Sequence, residues 1–221
     1  MSNTYLSGEQ TKRRILKESK KLFYKYGFTE TTYAHISAAA KINRALIPYH
    51  FQTKQILGEE IYQRIIADFT QTMDELLDAS QFSPDFIRIL HTITYYRLLR
   101  DNPKLSRFVS QLLTDQASSL FTVEDGRKML SELGNKFSLC DEDELNILAK
   151  MNIGMQKEII QMIHTSAADI DRMAQIQLHM LMSYAGYSKK KANELINAAF
   201  EVADLVSFHV KNGFSIVITY N

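Results

Sequence analysis

Apolar residues recur every three or four positions along nearly the whole chain, a spacing that places them on one face of a helix. Only three prolines and eight glycines interrupt the 221 residues, too few to punctuate the many short strands of an all-β protein. Because 45% of the residues are hydrophobic and 23% are charged, the chain can bury a core and disorder is not expected. The sequence therefore predicts an all-α protein of nine or ten helices.

Capping residues and prolines divide this pattern into separate helices. The fourth predicted helix would span about 35 Å at about 1.5 Å per residue, long enough to connect a small N-terminal domain, 1–54, to a larger helical bundle, 55–221. The apolar tail 214–220 receives no place in this scheme. The predicted helices cover 9–26, 33–40, 44–50, 54–78, 84–101, 103–112, 122–137 (or from 118), 141–164, 169–185 and 189–212.

Positive charge is concentrated at the N-terminus. Residues 1–58 contain ten Lys or Arg and three Glu, a net charge of +7, and the remaining sixteen basic and twenty-two acidic residues give −6. A basic segment on an acidic body indicates a polyanionic partner for that segment alone. An ordinary solvated face of basic helices would give the same count.

Two short predicted helices, 33–40 and 44–50, follow a longer bracing helix and are joined by a tight turn. This is the arrangement of a helix-turn-helix, whose second helix must be short and exposed to enter a major groove about 12 Å wide. Geometry of this kind is common, so the residue types carry more weight than the spacing.

Those residue types resemble the DNA-binding domain of the TetR (tetracycline-repressor-like) family over Thr11 to Leu57, a fifth of the chain. The family pattern has an aliphatic pair, Leu-Phe, Gly-aromatic, Thr-Thr, Ile-Ala, a small turn, Leu-Tyr-x-His-Phe and Ser-Lys-x-x-Leu. The matching residues here are Ile15-Leu16, Leu22-Phe23, Gly27-Phe28, Thr31-Thr32, Ile36, Ala40-Lys41-Ile42-Asn43, Leu46, His50-Phe51 and Thr53-Lys54 with Leu57.

The resemblance implies roles for the matching positions. Thr31 and Thr32 would meet phosphate at the start of the second helix, where one of them can at the same time cap the helix. Lys54 would contact the DNA backbone at the start of the fourth helix, and an ordinary surface lysine is the alternative. His50 would touch phosphate or base edges, although a packing role in the corner between helices three and four fits equally well. Phe51 matches a core aromatic residue and receives no DNA role.

Two further DNA contacts and two departures follow from the residues themselves. Arg44 would open the reading helix, where it can bind a guanine or a phosphate, and Tyr49 can stack on sugar or donate to phosphate. Lys41 stands where the family has glycine, so the turn must accept a strained backbone or adopt a slightly different conformation. Pro48 stands where the family has a phosphate-contacting tyrosine and cannot donate to the carbonyl of Arg44, so the helix is predicted to end or kink near Ile47.

The last two predicted helices are apolar on several sides and so must be covered on several sides. Two such hairpins related by a two-fold axis would form a four-helix bundle, the usual dimer interface of the family. A monomer with an interior helix is the alternative. A homodimer would read a pseudo-palindromic operator whose half-sites are about 34 Å apart. The predicted interface residues are Leu181, Leu195, Ala199, Val202 and Val206.

Helices four to eight carry large, adaptable side chains that suit a pocket for a small molecule. The resemblance implies an effector there, small and largely apolar, which no residue identifies. Each candidate has an ordinary core or surface position as its alternative. The candidates are His91, Tyr95, Phe108, Met151, Asn152 and Met155.

Enzyme activity finds no support, since there is no P-loop, Rossmann glycine motif, His-Glu-x-x-His or Gly-x-Ser-x-Gly. The six histidines lack metal-ligand spacing, so neither metal nor cofactor is expected. Cys140, the only cysteine, cannot form an internal disulfide, and no stretch reaches about 20 apolar residues. We therefore expect a cytoplasmic protein without membrane contact.

The functional hypothesis is a sequence-specific DNA-binding transcription regulator, a repressor released by a small-molecule effector. The alternative is a helical protein- or RNA-binding module with a vestigial DNA-binding head.

Overall fold

The computed structural model describes residues 7–77, 81–114, 118, 120–133, 141–166 and 168–220. Within these ranges the chain forms ten helices followed by a two-stranded antiparallel sheet. The elements are α1 (Gly8–Tyr26), α2 (Tyr33–Ala40), α3 (Leu46–Phe51), α4 (Lys54–Leu76), α5 (Pro84–Asp101), α6 (Pro103–Leu113), α7 (Val123–Leu133), α8 (Glu142–Thr165), α9 (Ile170–Tyr184), α10 (Lys189–Ala203), β1 (Val206–Lys211) and β2 (Ser215–Tyr220).

The helical fold is confirmed, and most predicted ends agree with the structure to within two residues. The end of the seventh predicted helix, 134–137, lies outside the described residues. Helix α3 begins at Leu46, two residues after the predicted Arg44. The predicted end of the last helix was wrong, because α10 ends at Ala203 instead of continuing to residue 212. Below, "head" means α1–α3 with their turns, residues 7–53, and "body" means all later elements.

The end of α1 shows how the head is built. Ser7 caps its start by accepting a hydrogen bond from the Gln10 backbone N–H at 3.2 Å. Gly27 ends it with φ of 91°, and Phe28 then folds back so that its ring lies 5.4 Å from that of Phe23. The positive φ of Gly27 thus ends the helix and lets the following aromatic residue return onto it.

Helix α4 belongs to both parts of the molecule. Its buried residues Leu57, Ile61 and Ile65 are members of one hydrophobic core that runs from the head into the body. At Gly58, an added Cβ would come within 2.6 Å of Leu112 Cδ2 and 2.8 Å of the Phe28 ring. The close approach of α4 to α6 therefore requires glycine at this position.

Helix α5 forms the centre of the body, and ten of its eighteen residues are buried. A chain of hydrogen bonds secures it to its neighbours. Tyr96 donates to Gln177 Oε1 at 2.6 Å, Gln177 Nε2 donates to Asn152 Oδ1 at 2.8 Å, and Asn152 Nδ2 reaches Met129 Sδ at 3.2 Å. These buried polar groups satisfy one another and fix the positions of α5, α7, α8 and α9.

The strands β1 and β2 replace the predicted end of the last helix and the unplaced tail. Their register pairs Phe208 with Ile218 and Val210 with Ile216, so these apolar side chains share one face. His209 and Lys211 lie on the other, exposed face. The apolar positions repeat every two residues, and their β-branched and aromatic side chains favour strands. Val206, predicted on a helix, begins β1.

The β-hairpin fastens the body to the head. The side-chain amide of Asn102 binds the backbone of β1 twice. It donates to the Phe208 carbonyl at 3.0 Å and accepts from the Val210 N–H at 2.7 Å. At the turn, Phe214 is fully buried, with its ring 4.8 Å from Phe108 of α6 and 5.3 Å from Tyr24 of α1. The hairpin therefore contacts α5, α6 and α1 together.

Candidate nucleic-acid interface and ligand cavity

The turn between α2 and α3 contains Lys41, one of the two residues that depart from the TetR-family pattern. Thr32 caps α2 by accepting from the His35 backbone N–H at 3.2 Å, as predicted for a cap residue. Lys41 ends α2 with φ of 50° and ψ of 51°, the left-handed conformation usually given to glycine. The expectation of a strained turn at this lysine is confirmed.

Pro48 does not kink the reading helix, so that prediction was wrong. Since α3 begins at Leu46, Pro48 is its third residue, where the backbone N–H has no partner within the helix in any case. The helix continues, and the Pro48 carbonyl accepts from the Gln52 N–H at 2.8 Å. Asn43 forms a side-chain turn by accepting from the Ala45 N–H at 2.9 Å.

The exposed side chains of this segment are the candidate base and phosphate contacts. Tyr49 is 79% exposed, and its ring lies 5.1 Å from the half-buried ring of His50. Arg44 is also exposed but stands in the turn before α3, which corrects its predicted place in the first turn of the helix. A Cβ on Gly8 would lie 3.8 Å from His50 Cε1, so this ring packs beside the start of α1.

Two residues that the resemblance assigned to phosphate are engaged inside the head. Thr31 is fully buried and its hydroxyl donates to the Gly27 carbonyl at 2.7 Å, so its side chain holds the turn together. Lys54 Nζ donates to the carbonyls of Phe28, Thr29 and Thr31 at 3.0, 3.3 and 3.1 Å. Burial lowers the Lys54 pKa from its ordinary value. A phosphate contact by Lys54 stays a prediction and would compete with these bonds.

The same turn is held from the body by α6. Gln111 Oε1 accepts from the backbone N–H of Phe28 at 2.7 Å and of Thr29 at 3.2 Å. A Cβ at Gly27 would stand 2.9 Å from this oxygen, so the contact depends on glycine. Gln55 of α4 also donates to the Leu112 carbonyl at 3.1 Å. The position of the head is thus set by α6 and α4 together, a junction that sequence reasoning missed.

Two adjoining cavities of about 140 and 290 Å³ open between α4, α5, α7 and α8. Apolar side chains form most of their walls, with the hydroxyl groups of Tyr62 and Tyr95 paired at 2.9 Å. Arg88 of α5 forms an ion pair with Glu132 of α7 at the wall that both cavities share. The residues common to the two cavities are Tyr62, Ile66, Arg88, Phe121, Met129 and Gln156.

Of the six predicted pocket residues, His91 and Tyr95 line a cavity. Phe108 lies instead at the junction with the head, 5.5 Å from the Phe23 ring, and Asn152 belongs to the buried hydrogen-bond chain described above. Met151 is 46% exposed, and Met155, which is half-buried, lies outside both cavities.

Arg88 and Tyr62 line the cavities and were not predicted. A signal for Arg88 was present, because it is a cation on the largely apolar helix α5, three residues before His91 and hence on the same face. Tyr62 offered no such signal, because an aromatic residue on an amphipathic helix is usual in a core.

The predicted dimer surface on α9 and α10 is partly covered by the chain's own core. Leu181 is 2% exposed and Ala199 is fully buried, so neither is free to contact a partner directly. Leu195 and Val202 are half-buried, as is Val206 on β1. The large apolar side chains that this region does expose are Ile176 at 56%, Tyr184 at 52% and Leu205 at 58%.

With this geometry in view, comparison with known proteins gives a consistent result. The sequence profile of the family described as "Bacterial regulatory proteins, tetR family" matches residues 15–61, which span most of the head and the start of α4. The head of this chain therefore matches the DNA-binding head of the TetR family.

The curated relatives match about a third of this chain. The regulator TtgR of Pseudomonas putida is 32% identical over 73 residues, 33% of this chain and 33% of its own length. The repressor NicS of Pseudomonas putida is 37% identical over 68 residues, 31% of this chain and 32% of its own length. The chain therefore aligns with about a third of the length of these relatives.

Solved structures extend the fold likeness to the body. SmeT, the repressor of a multidrug efflux pump of Stenotrophomonas maltophilia, has a TM-score of 0.57 at 19% identity and covers 84% of this chain and 94% of its own. RolR, solved in complex with resorcinol, has a TM-score of 0.55 at 17% identity and covers 86% and 94%. At these identities the likeness establishes the fold alone.

Two further observations concern the part of the chain that the structure describes. None of its helices combines the length and the apolar character needed to cross a membrane. No group of three or more His, Cys, Asp or Glu side chains in it is arranged to hold a metal ion.

Proposed function

We propose that this chain is a sequence-specific DNA-binding transcription regulator that acts as a homodimer and represses until a small molecule binds in the body. The observation that carries the proposal is the pair of exposed side chains Arg44 and Tyr49, presented on a TetR-like head. Both side chains are exposed, so neither is needed to fill the core, and residues 1–58 carry a net charge of +7.

The head is rigid enough to read sequence. Its turns are fixed by the bonds of Thr31 and Lys54 inside the head and of Gln111 from α6. The Thr32 hydroxyl accepts from the α2 backbone and can still donate its own proton to a phosphate oxygen beside the helix start. Phosphate contacts of this kind set the register, and an exposed arginine or tyrosine can then reach base edges.

The body supports release by a ligand. The cavities are lined in part by α4, whose first turns pack against the head, so a ligand that displaces α4 alters the position of the head. A repressing role and a small aromatic ligand both have precedents among the similar structures, SmeT and RolR. The exposed Ile176 and Tyr184 on α9 supply an apolar surface for a two-fold partner.

Selection of binding sites from random duplex DNA at about 150 mM salt tests the proposal, since nonspecific binding is weak at that concentration. We expect a pseudo-palindrome whose half-sites are one helical turn or more apart. The variant Arg44→Ala should relax the preference at one base pair per half-site, at a cost of about 1–3 kcal/mol. Lys150→Ala removes an exposed cation of α8 and serves as the matched control.

Failure to enrich any sequence, with binding that depends on salt alone, would contradict the proposal. Equal affinity for RNA would instead support the alternative of a binding module with a vestigial head. If Arg44→Ala lowers binding to all sequences equally, then Arg44 contacts phosphate and base reading must lie elsewhere on the segment.

A further inference from the structure

Two buried polar atoms on the cavity wall have no hydrogen-bond partner among the described residues. They are Nε of Arg88 and Nε2 of His91. Both side chains line the 140 Å³ cavity, and their three-residue separation on α5 places them on one face of that helix. A buried donor or acceptor left unsatisfied costs about 1–3 kcal/mol, so this pair marks a place where a ligand atom would be stabilising.

The charges around these two atoms limit what the ligand can be. The Arg88 guanidinium is already neutralised by Glu132, and His91 Nε2 lies 3.8 Å from Asp74 Oδ1. Asp125 and Lys128 line the larger cavity. Three carboxylates and two cations thus stand in or beside the site, which makes a further carboxylate unfavourable. A ligand ammonium group has no lone pair with which to accept a hydrogen bond from Arg88 Nε, so it would leave this donor unpaired.

His91 adds a neutral group to the site. Burial, followed by the nearby Arg88 charge, lowers the pKa of His91 to about 4. Its imidazole is therefore uncharged at neutral pH and offers Nε2 as either donor or acceptor, according to its tautomer. Arg88 Nε–H can only donate.

The opposite wall offers a second polar point within an apolar surround. The hydroxyl groups of Tyr62 and Tyr95 share one hydrogen bond, which leaves one of their two protons available to donate. Burial raises the pKa of both hydroxyls, so these protons are retained. Phe121 and Met129 form adjacent walls suited to a flat ring. Arg88 and Tyr62 line both cavities, whereas His91 and Tyr95 line only the 140 Å³ one, so the ring would lie where the two adjoin. Each cavity alone is smaller than the about 300–1,000 Å³ of ligand pockets, which suits a ligand of a single ring.

We infer that the effector is a small, uncharged, monocyclic aromatic compound whose hydroxyl or carbonyl oxygen accepts a hydrogen bond from Arg88 Nε and contacts His91 Nε2. The inference rests on the proposed function, since it names the ligand class of the regulator's own cavity. A second oxygen on the ring would reach the tyrosine pair. An acidic ring compound, an aliphatic acid and an organic cation are all disfavoured by the same geometry.

Isothermal titration of the full chain with five ring compounds tests the inference. Phenol and acetophenone carry an oxygen acceptor, toluene carries none, benzoate is an anion and benzylammonium is a cation. We expect phenol and acetophenone to bind at least about tenfold more tightly than the other three, because one hydrogen bond to a charged donor is worth about 1.5–3 kcal/mol. Tightest binding by benzoate, benzylammonium or toluene would overturn the inference.

Variants connect the selectivity to the named atoms. In Arg88→Met with Glu132→Gln, no charge is left buried without a partner, and we expect phenol to lose about tenfold in affinity while toluene is unchanged. His91→Phe is a second variant that stands in if the first fails to fold. Equal loss for phenol and toluene in the double variant, or no loss for either, would refute the role of Arg88. The same outcome in His91→Phe would refute the contact with His91 Nε2.

Measuring whether the unliganded protein binds its selected operator separates a failure of this inference from a failure of the proposed function. If the operator binds and none of the five compounds does, this inference fails while DNA recognition stands. If the operator itself does not bind, the proposed function fails, and titration still decides whether the cavity takes a neutral aromatic compound.

Discussion

The burial of Phe214 at the turn of the β-hairpin gives a large, calculable prediction. Its ring is fully buried between Phe108 and Tyr24, so Phe214→Ala removes the only side chain that the hairpin turn inserts between α1 and α6. Replacing a buried Phe by Ala costs about 3–5 kcal/mol, of which each aromatic pair accounts for about 0.5–1.5 kcal/mol. Phe214 has φ of 58°, and Ala is strained there too, so the backbone contribution cancels.

Urea unfolding followed by circular dichroism measures this loss. We expect the free energy of unfolding of Phe214→Ala to fall by about 3–4 kcal/mol, a shift of the midpoint by about 1–2 M at the usual slope. Tyrosine fluorescence gives an independent probe, because the chain has eleven tyrosines and no tryptophan. Coincident transitions by the two probes justify a two-state treatment.

Two matched variants define what would refute this reasoning. Phe214→Leu keeps most of the volume and should lose only about 1–2 kcal/mol. Val217→Ala changes a half-buried side chain on the outer face of the hairpin and should lose less than about 1 kcal/mol. If Phe214→Ala is no more destabilising than Val217→Ala, the hairpin does not brace the head in solution.

Three further changes test individual residues. Lys54→Met should lower the free energy of unfolding by about 2–3 kcal/mol, because it leaves three backbone carbonyls without the ammonium group that donates to them. A change below about 0.5 kcal/mol in a urea titration would show that these bonds contribute nothing to stability. Pro48→Ala should alter thermal stability by less than about 0.5 kcal/mol, because its N–H position is unpaired in the first turn; marked stabilisation would restore the predicted kink. The pKa of His91 in the folded chain is about 4, below its ordinary 6.5, so the unfolded chain takes up the proton first as the pH falls. The free energy of unfolding should therefore decrease between about pH 6.5 and 4, by at most about 3 kcal/mol. His91→Phe should remove that part of the pH dependence, and identical profiles of stability against pH for the two proteins would count against this role of His91.

The helical architecture was predictable because local signals and periodicity agreed along most of the chain. Helix α2 begins directly after the capping residue Thr32, and α5 begins at Pro84, both as predicted. The hairpin was missed because Val206 and Val210 also fit the helical stripe of α10. What decides for strands is tertiary: the bonds from Asn102 and the burial of Phe214 both come from distant parts of the chain.

The DNA-reading segment was predictable in position but less so in detail. Residue types located Arg44, Tyr49 and His50, and the structure leaves the first two exposed. The contacts of Thr31 and Lys54 could not be predicted from residue type, because a hydroxyl or ammonium group that can donate to phosphate can also donate to a backbone carbonyl. Which of the two it meets depends on how the turn after α1 folds back.

The β-hairpin also sets an order in which the molecule can be completed during synthesis. The bond between Tyr24 and the Val210 carbonyl joins residues 186 positions apart. At about 5–20 residues per second, a ribosome needs on the order of 10–40 s to add that length. All the residues of α1–α3 are available long before the strands that brace them exist. A nascent head would therefore spend that interval without its brace, and the junction that positions it against the body closes only after residues 206–220 have been made.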